Sequence, residues 1–557
     1  MRPAVWAPRP ERVDLVVEGR RTEMDEGEDG WWRSDLELEP GADYAFSLDG
    51  GPARPDPRSR HQPAGVHGAS RVVHTARPGH GNWRGFDLPS AVLYELHIGT
   101  FTPSGTFAAA GERLAHLVDL GVDAVEVMPV NHFPGNHGWG YDGVALFAVH
   151  DAYGGPAGFQ EFVDACHSHG LGVVLDVVYN HLGPDGNYLA EFGPYFTELY
   201  RTPWGEAVNL DGPGSDQVRR FFIDNALMWL GDYGVDGLRL DAVHALLDRS
   251  AVHFLEELST AVDALERRMG RPLFLIAESD LNDPRLLWDP ARGGYGLEAT
   301  WNDDFHHAVH AAVTGETDGY YQDFGRLTDV AKALESAYVY TGDYSRHRER
   351  SHGRPADGLS GSRFLGYVQN HDQVGNRARG ERLGHLVDGR LVELAAALLL
   401  TSPFVPMLFQ GEEWSASSPF PYFSDHQDTG LAEAVREGRR REFAAFGWDP
   451  ADVPDPQDAD TFRSAKLDWS EIGVLPHQEV LGWYRALTRL RRQTPDLTDD
   501  RLDRVRTFCD EDQSTLWVQR GNVVVAANFS DHPRSVEVGG LTIDLTPAGV
   551  AITELLQ

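Results

Sequence analysis

The chain has 557 residues and a formal net charge of −36, set by 49 basic against 85 acidic side chains. A surface this acidic repels phosphate backbones and anionic membranes, so neither nucleic acid nor a membrane is expected as a partner, and no run of about 18 apolar residues offers a membrane span. With 41 % hydrophobic residues the chain can bury a large core, and its length calls for several folding units.

Residues 1–85 alternate apolar and polar side chains in short runs such as "RVDLVVEG" and "DYAFSLDG", separated by Gly/Pro/Asp turns. That pattern predicts a small N-terminal β-sandwich. The stretch "GPARPDPRSRHQPAGVHGAS" is rich in Pro and Gly and reads as an exit linker without regular structure.

From about residue 90 short apolar strands alternate with helical segments, the signature of repeated βα units and a parallel sheet. The predicted strands cover 92–101, 124–130, 172–181, 237–243, 273–279, 298–305, 364–372 and 404–413. Helices between them include "ERLAHLVDLG", "GFQEFVDACHSHG", "SDQVRRFFIDNALMWLGDYG" and "GRLVELAAALLL", the third with Ser215 at its expected N-cap. Eight strands with helices between them predict an α/β fold, a (β/α)8 barrel over 86–490. Alternation returns in "STLWVQRGNVVVAANFS" and its neighbours, giving a C-terminal all-β domain over 491–557.

Lys332 and Lys466 are the only lysines and neither lies in a Gly-rich loop, which argues against phosphate-loop and Schiff-base chemistry. Cys166 and Cys509, the only cysteines, make neither a disulfide framework nor a zinc spacing. The N-terminal stretch has no apolar signal-peptide core, so a cytoplasmic protein is expected.

In such a barrel the chemistry sits at the carboxyl ends of the strands. Asp176, Asn180 and His181 close the third strand, Arg239 and Asp241 the fourth, Glu278 the fifth, and His371 and Asp372 the seventh. In "GLRLDAVH" the residues Arg239 and Asp241 share one face of the strand, opposite Leu238 and Leu240. Three convergent carboxylates suit either a divalent cation or glycoside hydrolysis, and the basic neighbours Arg239, His181 and His371 compete with a cation. Hydrolysis needs one ionised and one protonated carboxyl group. A nearby guanidinium favours the ionised form of Asp241 as nucleophile, and the apolar run "LFLIA" before Glu278 favours a protonated acid.

"DVVYNH", "GLRLDAVH", "IAES" and "VQNHD" resemble, in order, the four signature regions of the α-amylase clan of glycoside hydrolases. The resemblance implies that Asp241 is the nucleophile, Glu278 the acid/base and Asp372 the carboxylate that steadies the transition state. It further implies that Arg239 orients the nucleophile, that His181 and His371 hydrogen-bond the sugar, and that Tyr141 of "GWGYD" stacks beneath it. Leu238 and His244 depart from the Phe and Lys of many starch-degrading members, which disfavours a general α-amylase. Longer stretches, among them "LYELHIGTFTPSGTF", "IAESDLNDPRL" and "QNHDQVGNRARGERL", resemble the maltooligosyltrehalose trehalohydrolase family. That family implies cleavage of the α-1,4 bond beside a terminal trehalose unit of maltooligosyl trehalose, with retention and without a cofactor. No metal is expected, since Asn180, at a position that ligates calcium in many clan members, has no convincing companion ligands. A glycogen branching enzyme shares the layout and is the nearest rival. Between His181 and Gly214 lie Tyr188, Phe192, Tyr195, Phe196, Tyr200 and Trp204. Most of these rings are expected to pack the loop, and Trp204 is taken as a sugar-stacking ring. Asn370 and the pair Glu412–Glu413 are further polar candidates near strand ends.

Overall fold

The computed structural model describes residues 1–74, 83–444 and 453–555; residues 75–82, near the expected end of the N-terminal sandwich, lie outside the described residues. Its centre is a closed barrel of eight parallel strands: β1 Leu93–Leu96, β2 Ala124–Val127, β3 Gly172–Val177, β4 Gly237–Leu240, β5 Phe274–Ala277, β6 Ala299–Trp301, β7 Phe364–Gly366 and β8 Val405–Phe409. Neighbours in space are neighbours in sequence, and β8 closes on β1. Each strand falls inside its predicted span but stops earlier at the carboxyl end. The polar residues that extend those spans belong to the turns above the barrel.

The alternation expected in "GLRL" is realised across the barrel wall. Leu238 and Leu240 are buried in the layer shared with the surrounding helices. Residues of the other parity, such as Leu93, Val174, Ile276, Leu365 and Met407, form a separate apolar cluster that fills the barrel. At its upper end this inner set turns polar. Glu95 on β1 pairs in register with Glu126 on β2, and Asp176 on β3 with Arg239 on β4. Four ionisable side chains inside a barrel are costly unless they satisfy one another, which marks this end as the functional one.

The helix Ser215–Met228 follows β3 as predicted, but Gly214, with φ 80°, takes the N-cap position expected for Ser215. A π-helical turn, Trp229–Tyr233, carries it to Gly234 and the start of β4. After Val177 the chain makes an excursion with a two-stranded hairpin, Phe196–Thr202 and Gly205–Val208.

On the N-terminal side, Ala4–Trp6, Trp31–Arg33 and Asp25–Glu26 form one small antiparallel sheet. A second is built around Val13–Val17 and Asp43–Leu48. The stretch expected as an unstructured linker instead adds strands Ala53–Arg54 and Ser70–Arg71 to Asp43–Leu48. Between those strands Arg58 and Arg60 reach Asp224 and Asp232 of the barrel's helical layer. Salt bridges and a backbone pairing hold the segment where its composition alone suggests none. Near the C-terminus a four-stranded antiparallel sheet, ordered Val505–Asp510, Thr515–Arg520, Val523–Asn528 and Val550–Glu554, accompanies the hairpin Arg534–Val538 and Leu541–Leu545. No helix among the described residues is long and apolar enough to cross a membrane.

Candidate active site

Asp241 follows the last residue of β4, and Glu278 the last residue of β5. Directly after Asp241 the backbone turns through Ala242 at φ 40°, a left-handed conformation that costs a non-glycine residue roughly 1 kcal/mol or more. The turn aims the Ala242 N–H at Glu278 Oε2, 2.5 Å away, while the Val243 N–H donates to the Glu278 carbonyl at 3.0 Å. The strained turn thus ties the ends of two neighbouring strands together and fixes one carboxyl group relative to the other.

Arg239 binds both. Its side chain is 1 % exposed, and Nη1 donates to Asp241 Oδ1 at 2.9 Å and to Asp176 Oδ2 at 2.8 Å. Nη2 lies 3.4 Å from Glu278 Oε2. The guanidinium carbon sits 4.1 Å from the centre of the Trp301 ring, a cation–π contact on its remaining side. Asn180 Nδ2 donates to Asp241 Oδ2 at 2.6 Å, so both carboxylate oxygens of Asp241 are held. The Asp241 and Glu278 side chains keep 12 % and 20 % of their surface open.

His371 and Asp372 do not end β7 as the sequence suggests. They open a short helix, His371–Gly375, capped by Asn370, whose Oδ1 accepts from the Gln373 N–H. Asp372 Oδ1 accepts from Asn376 Nδ2 at 2.6 Å. His371 Nδ1 meets Glu95 Oε1 at 2.5 Å, and Tyr141 Oη lies 2.8 Å from His371 Nε2. His181 is held by Asn180 Oδ1 and the Tyr141 carbonyl.

Burial sets the titration of the group. It pushes the Glu278 carboxyl well above its usual range; Arg239 opposes this, while the charges of Asp241 and Asp372 add to it. Burial also raises Asp176 to about 6 against the pull of Arg239, and Asp303 to about 7 against a hydrogen bond from Tyr367. Burial opposes the charge on Arg239, yet the surrounding acids, Asp176 foremost, hold its pKa well above the usual value. A protonated Glu278 beside a permanently charged arginine is an arrangement able to donate a proton to a leaving group.

Of the residues singled out from the sequence, Asp241, Glu278, Asp372, Tyr141, His181, Arg239, His371 and Trp204 line one cavity of about 860 Å³, whereas Asp176, Asn180 and Asn370 do not line it. Trp204 reaches it from the tip of the hairpin. Among the other rings of that excursion, Phe192 and Tyr195 are buried, Tyr188 lies under the Arg54 guanidinium and Tyr200 donates to Asp211. Glu412 and Glu413 are buried elsewhere, against the hydroxyls of Tyr484 and Tyr94. A second cavity, of about 810 Å³, lies beside the Arg58–Asp224 and Arg60–Asp232 pairs, and its acids are engaged with those arginines.

Sequence reasoning missed several walls of the active cavity. Tyr320, His347 and Arg348 come from the connection between β6 and β7, and Tyr422 from beyond β8. Asp303 falls inside the predicted strand span 298–305, but only the fold brings it to the cavity that holds Glu278. Glu95, beneath His371, carries no signal, since one acid in a short buried strand looks like any other.

The family model for the α-amylase catalytic domain matches residues 75–201. The malto-oligosyltrehalose trehalohydrolase of Rhizobium sp. (strain M-11) is 50 % identical over 556 residues, covering 97 % of this chain and 92 % of that protein. The enzyme of the same name from Arthrobacter ramosus is 52 % identical over 549 residues, covering 97 % and 95 %. Among solved structures, an α-amylase candidate from Salmonella typhimurium superposes with a TM-score of 0.90 at 38 % identity, covering 99 % of this chain and 97 % of that one. With full-length identity of this order and a closed barrel carrying the clan's four motifs at its mouth, the chain belongs to the malto-oligosyltrehalose trehalohydrolase family of α-amylase-type glycoside hydrolases.

Proposed function

We propose that the protein hydrolyses the α-1,4-glucosidic bond next to the terminal trehalose unit of maltooligosyl trehalose, releasing trehalose and a shortened malto-oligosaccharide. The observation that carries this reading is the reach of one guanidinium, Arg239, to both Asp241 and Glu278 on a single cavity. Asp241 attacks the anomeric carbon while Glu278 gives its proton to the departing trehalose 4-oxygen. The glycosyl–Asp241 ester is then opened by water as Glu278 takes back a proton. Both displacements invert the anomeric centre, so the configuration is retained overall. Asp372 holds the sugar in its distorted form, and Tyr141, His181 and His371 surround it.

Trehalose differs from maltose only on the leaving-group side of the cut, so recognition belongs there. The cytoplasm is the proposed compartment, in keeping with two cysteines that are both free thiols. Incubation with maltotriosyltrehalose, followed by chromatography of the products, tests the reading. Free trehalose and maltotriose are expected. New α-1,6 linkages without trehalose would make the protein a branching transferase instead.

A further inference from the structure

Beneath the cavity floor, hydrogen-bond counting fixes a charge that the mechanism above does not use. The Tyr141 hydroxyl has one proton, and it points to Asp176 Oδ2, 2.5 Å away. That oxygen already accepts Nη1 of Arg239 at 2.8 Å, which favours its carboxylate form. Tyr141 Oη can therefore only accept at its other two contacts, a long one from Arg239 Nη1 at 3.4 Å and one with His371 Nε2 at 2.8 Å, where the ring nitrogen is the donor. On the opposite side of the ring, His371 Nδ1 faces Glu95 Oε1 at 2.5 Å, and the His371 backbone N–H donates to Glu95 Oε2 at 2.8 Å. Glu95 accepts the backbone N–H at Oε2, and with its carboxylate form facing the ring the hydrogen of the Oε1 contact is assigned to Nδ1, which makes Nδ1 a donor as well.

An imidazole that donates through both nitrogens is an imidazolium. We propose that Glu95 is a positioning residue that keeps His371 permanently charged at neutral pH, so that the ring under the reacting sugar acts as a fixed cation and never as a base. The inference rests on the hydrolase reading for its catalytic meaning, but the charge itself is a statement about hydrogen bonds. Glu95 and His371 are 1 % and 2 % exposed, in a space that water does not screen.

The acids that face the ring from the packed elements support the charge, and Arg239 opposes it. Glu95 on β1, Asp176 on β3 and Asp372 on the ring's own helix are acidic; Arg239 on β4 is basic; His97 after β1 stays neutral, its pKa lowered by burial to about 3. Glu126 on β2 faces Glu95, and burial, with the charge of Glu95, raises its pKa well above the usual range, which favours its neutral form. Burial of His371 opposes protonation, yet the attraction and hydrogen bond of Glu95 outweigh it and raise the imidazole pKa. A raised histidine pKa keeps the charged form below it and surrenders that form only as the pH climbs through it.

The charge has a use in the proposed reaction. Glu278 gives up and regains a proton in each turnover while Asp241 forms and releases the glycosyl ester, and a neighbour that titrated between pH 6 and 8 would make their balance shift with pH. Tying the imidazolium to Glu95 removes that variable. The donated Nε2–H also fixes the Tyr141 hydroxyl, and the two rings lie 5.1 Å apart at 22°, so the wall of the sugar site is oriented by the same bond.

Neutron diffraction from a deuterium-exchanged crystal of the full chain at pH 8 tests the charge without substrate, so its outcome is separate from that of the trehalose assay. Deuterium is expected on both Nδ1 and Nε2 of His371, with none on Glu95. Deuterium on one ring nitrogen only, or on a Glu95 oxygen, overturns the proposal. The positioning role is read from Glu95→Gln, whose amide can donate to a neutral Nδ1 while its oxygen accepts the backbone N–H. Folded Glu95→Gln is expected to lose about tenfold or more in kcat at pH 8 and to recover relative to wild type as the pH falls toward 5, where the ring regains its proton. A deficit that stays the same across that range would mark Glu95 as structural scaffolding and defeat the positioning claim.

Discussion

Trp204 lies flat on His181, with ring centroids 4.6 Å apart and planes 3° from parallel. The pair joins two parts of the chain that the sequence keeps separate, the turn of a hairpin and the turn that follows β3. Trp204 remains 48 % exposed, which is unusual for so large an apolar ring and gives it a free face over the cavity. A sugar stacked on that face gains about 1 kcal/mol from the ring beyond simple burial.

Trp204→Ala is accordingly expected to raise KM for maltotriosyltrehalose by roughly tenfold while leaving the melting temperature within about 1 °C, because the ring adds little to the core. Steady-state kinetics and differential scanning fluorimetry measure both. An unchanged KM would remove Trp204 from the substrate surface.

The double displacement makes a stereochemical prediction. NMR during the first minutes of turnover should show the new reducing end as the α-anomer, before mutarotation mixes the forms. Asp241→Asn should lower kcat by about 10⁴-fold or more and still fold, since Arg239 keeps its bond to Asp176. Early β-anomer, or substantial turnover by the variant, would point to a single displacement by water.

Glu278, as the proposed acid, is expected to govern the alkaline side of the pH profile. Burial raises its pKa well above the usual carboxyl range, so the acid form persists to higher pH than in an exposed glutamate, and kcat/KM for the oligosaccharide should fall as the pH rises through that pKa. A malto-oligosaccharyl fluoride needs no protonated leaving group. Its alkaline limb should vanish in wild type, and Glu278→Gln should still release fluoride from it. Equal alkaline limbs for both substrates would assign that limb to another group.

Away from the site, Glu316 predicts an acid dependence of stability. Burial opposes its charge, but hydrogen bonds from His310 and a two-point contact from Arg377, at 2.8 Å each, bring its pKa down to about 2. A carboxyl group whose pKa falls on folding adds stability that is fully present above its unfolded value, about 4.3, and is lost as the pH drops toward the folded one. Glu316→Gln should therefore lower the melting temperature at pH 7, and the gap to wild type should narrow between pH 4.5 and pH 3. A constant gap would mean that the loss is one of packing.

Much of the site is legible in the order of residues alone. Arg239 and Asp241 are readable because strand parity puts them on one face, and Glu278 because an apolar run precedes it. The differences between sequence and structure have equally local causes. The carboxyl ends of β3, β5 and β7 fall short of their predicted spans, since hydrophobic alternation does not reveal where pairing stops. His371 and Asp372 begin a helix, where the cap of Asn370 takes over from the sheet. The residues at 51–70 look structureless by composition, yet they pair with Asp43–Leu48 because that strand offers free backbone groups at its edge.

By itself, the sequence determined the order of strands and helices, the eight-unit barrel and the four motifs at its mouth, because these follow from local period and from short runs of residues. Only the tertiary structure decided which charges from distant segments meet. Glu95 and His371 stand 276 positions apart and share a proton-bearing contact of 2.5 Å, and Trp204 finds His181 across a hairpin. Closing the barrel fixes such pairs through register and burial, and a low-dielectric interior then gives each charge a partner that no local pattern of residues records.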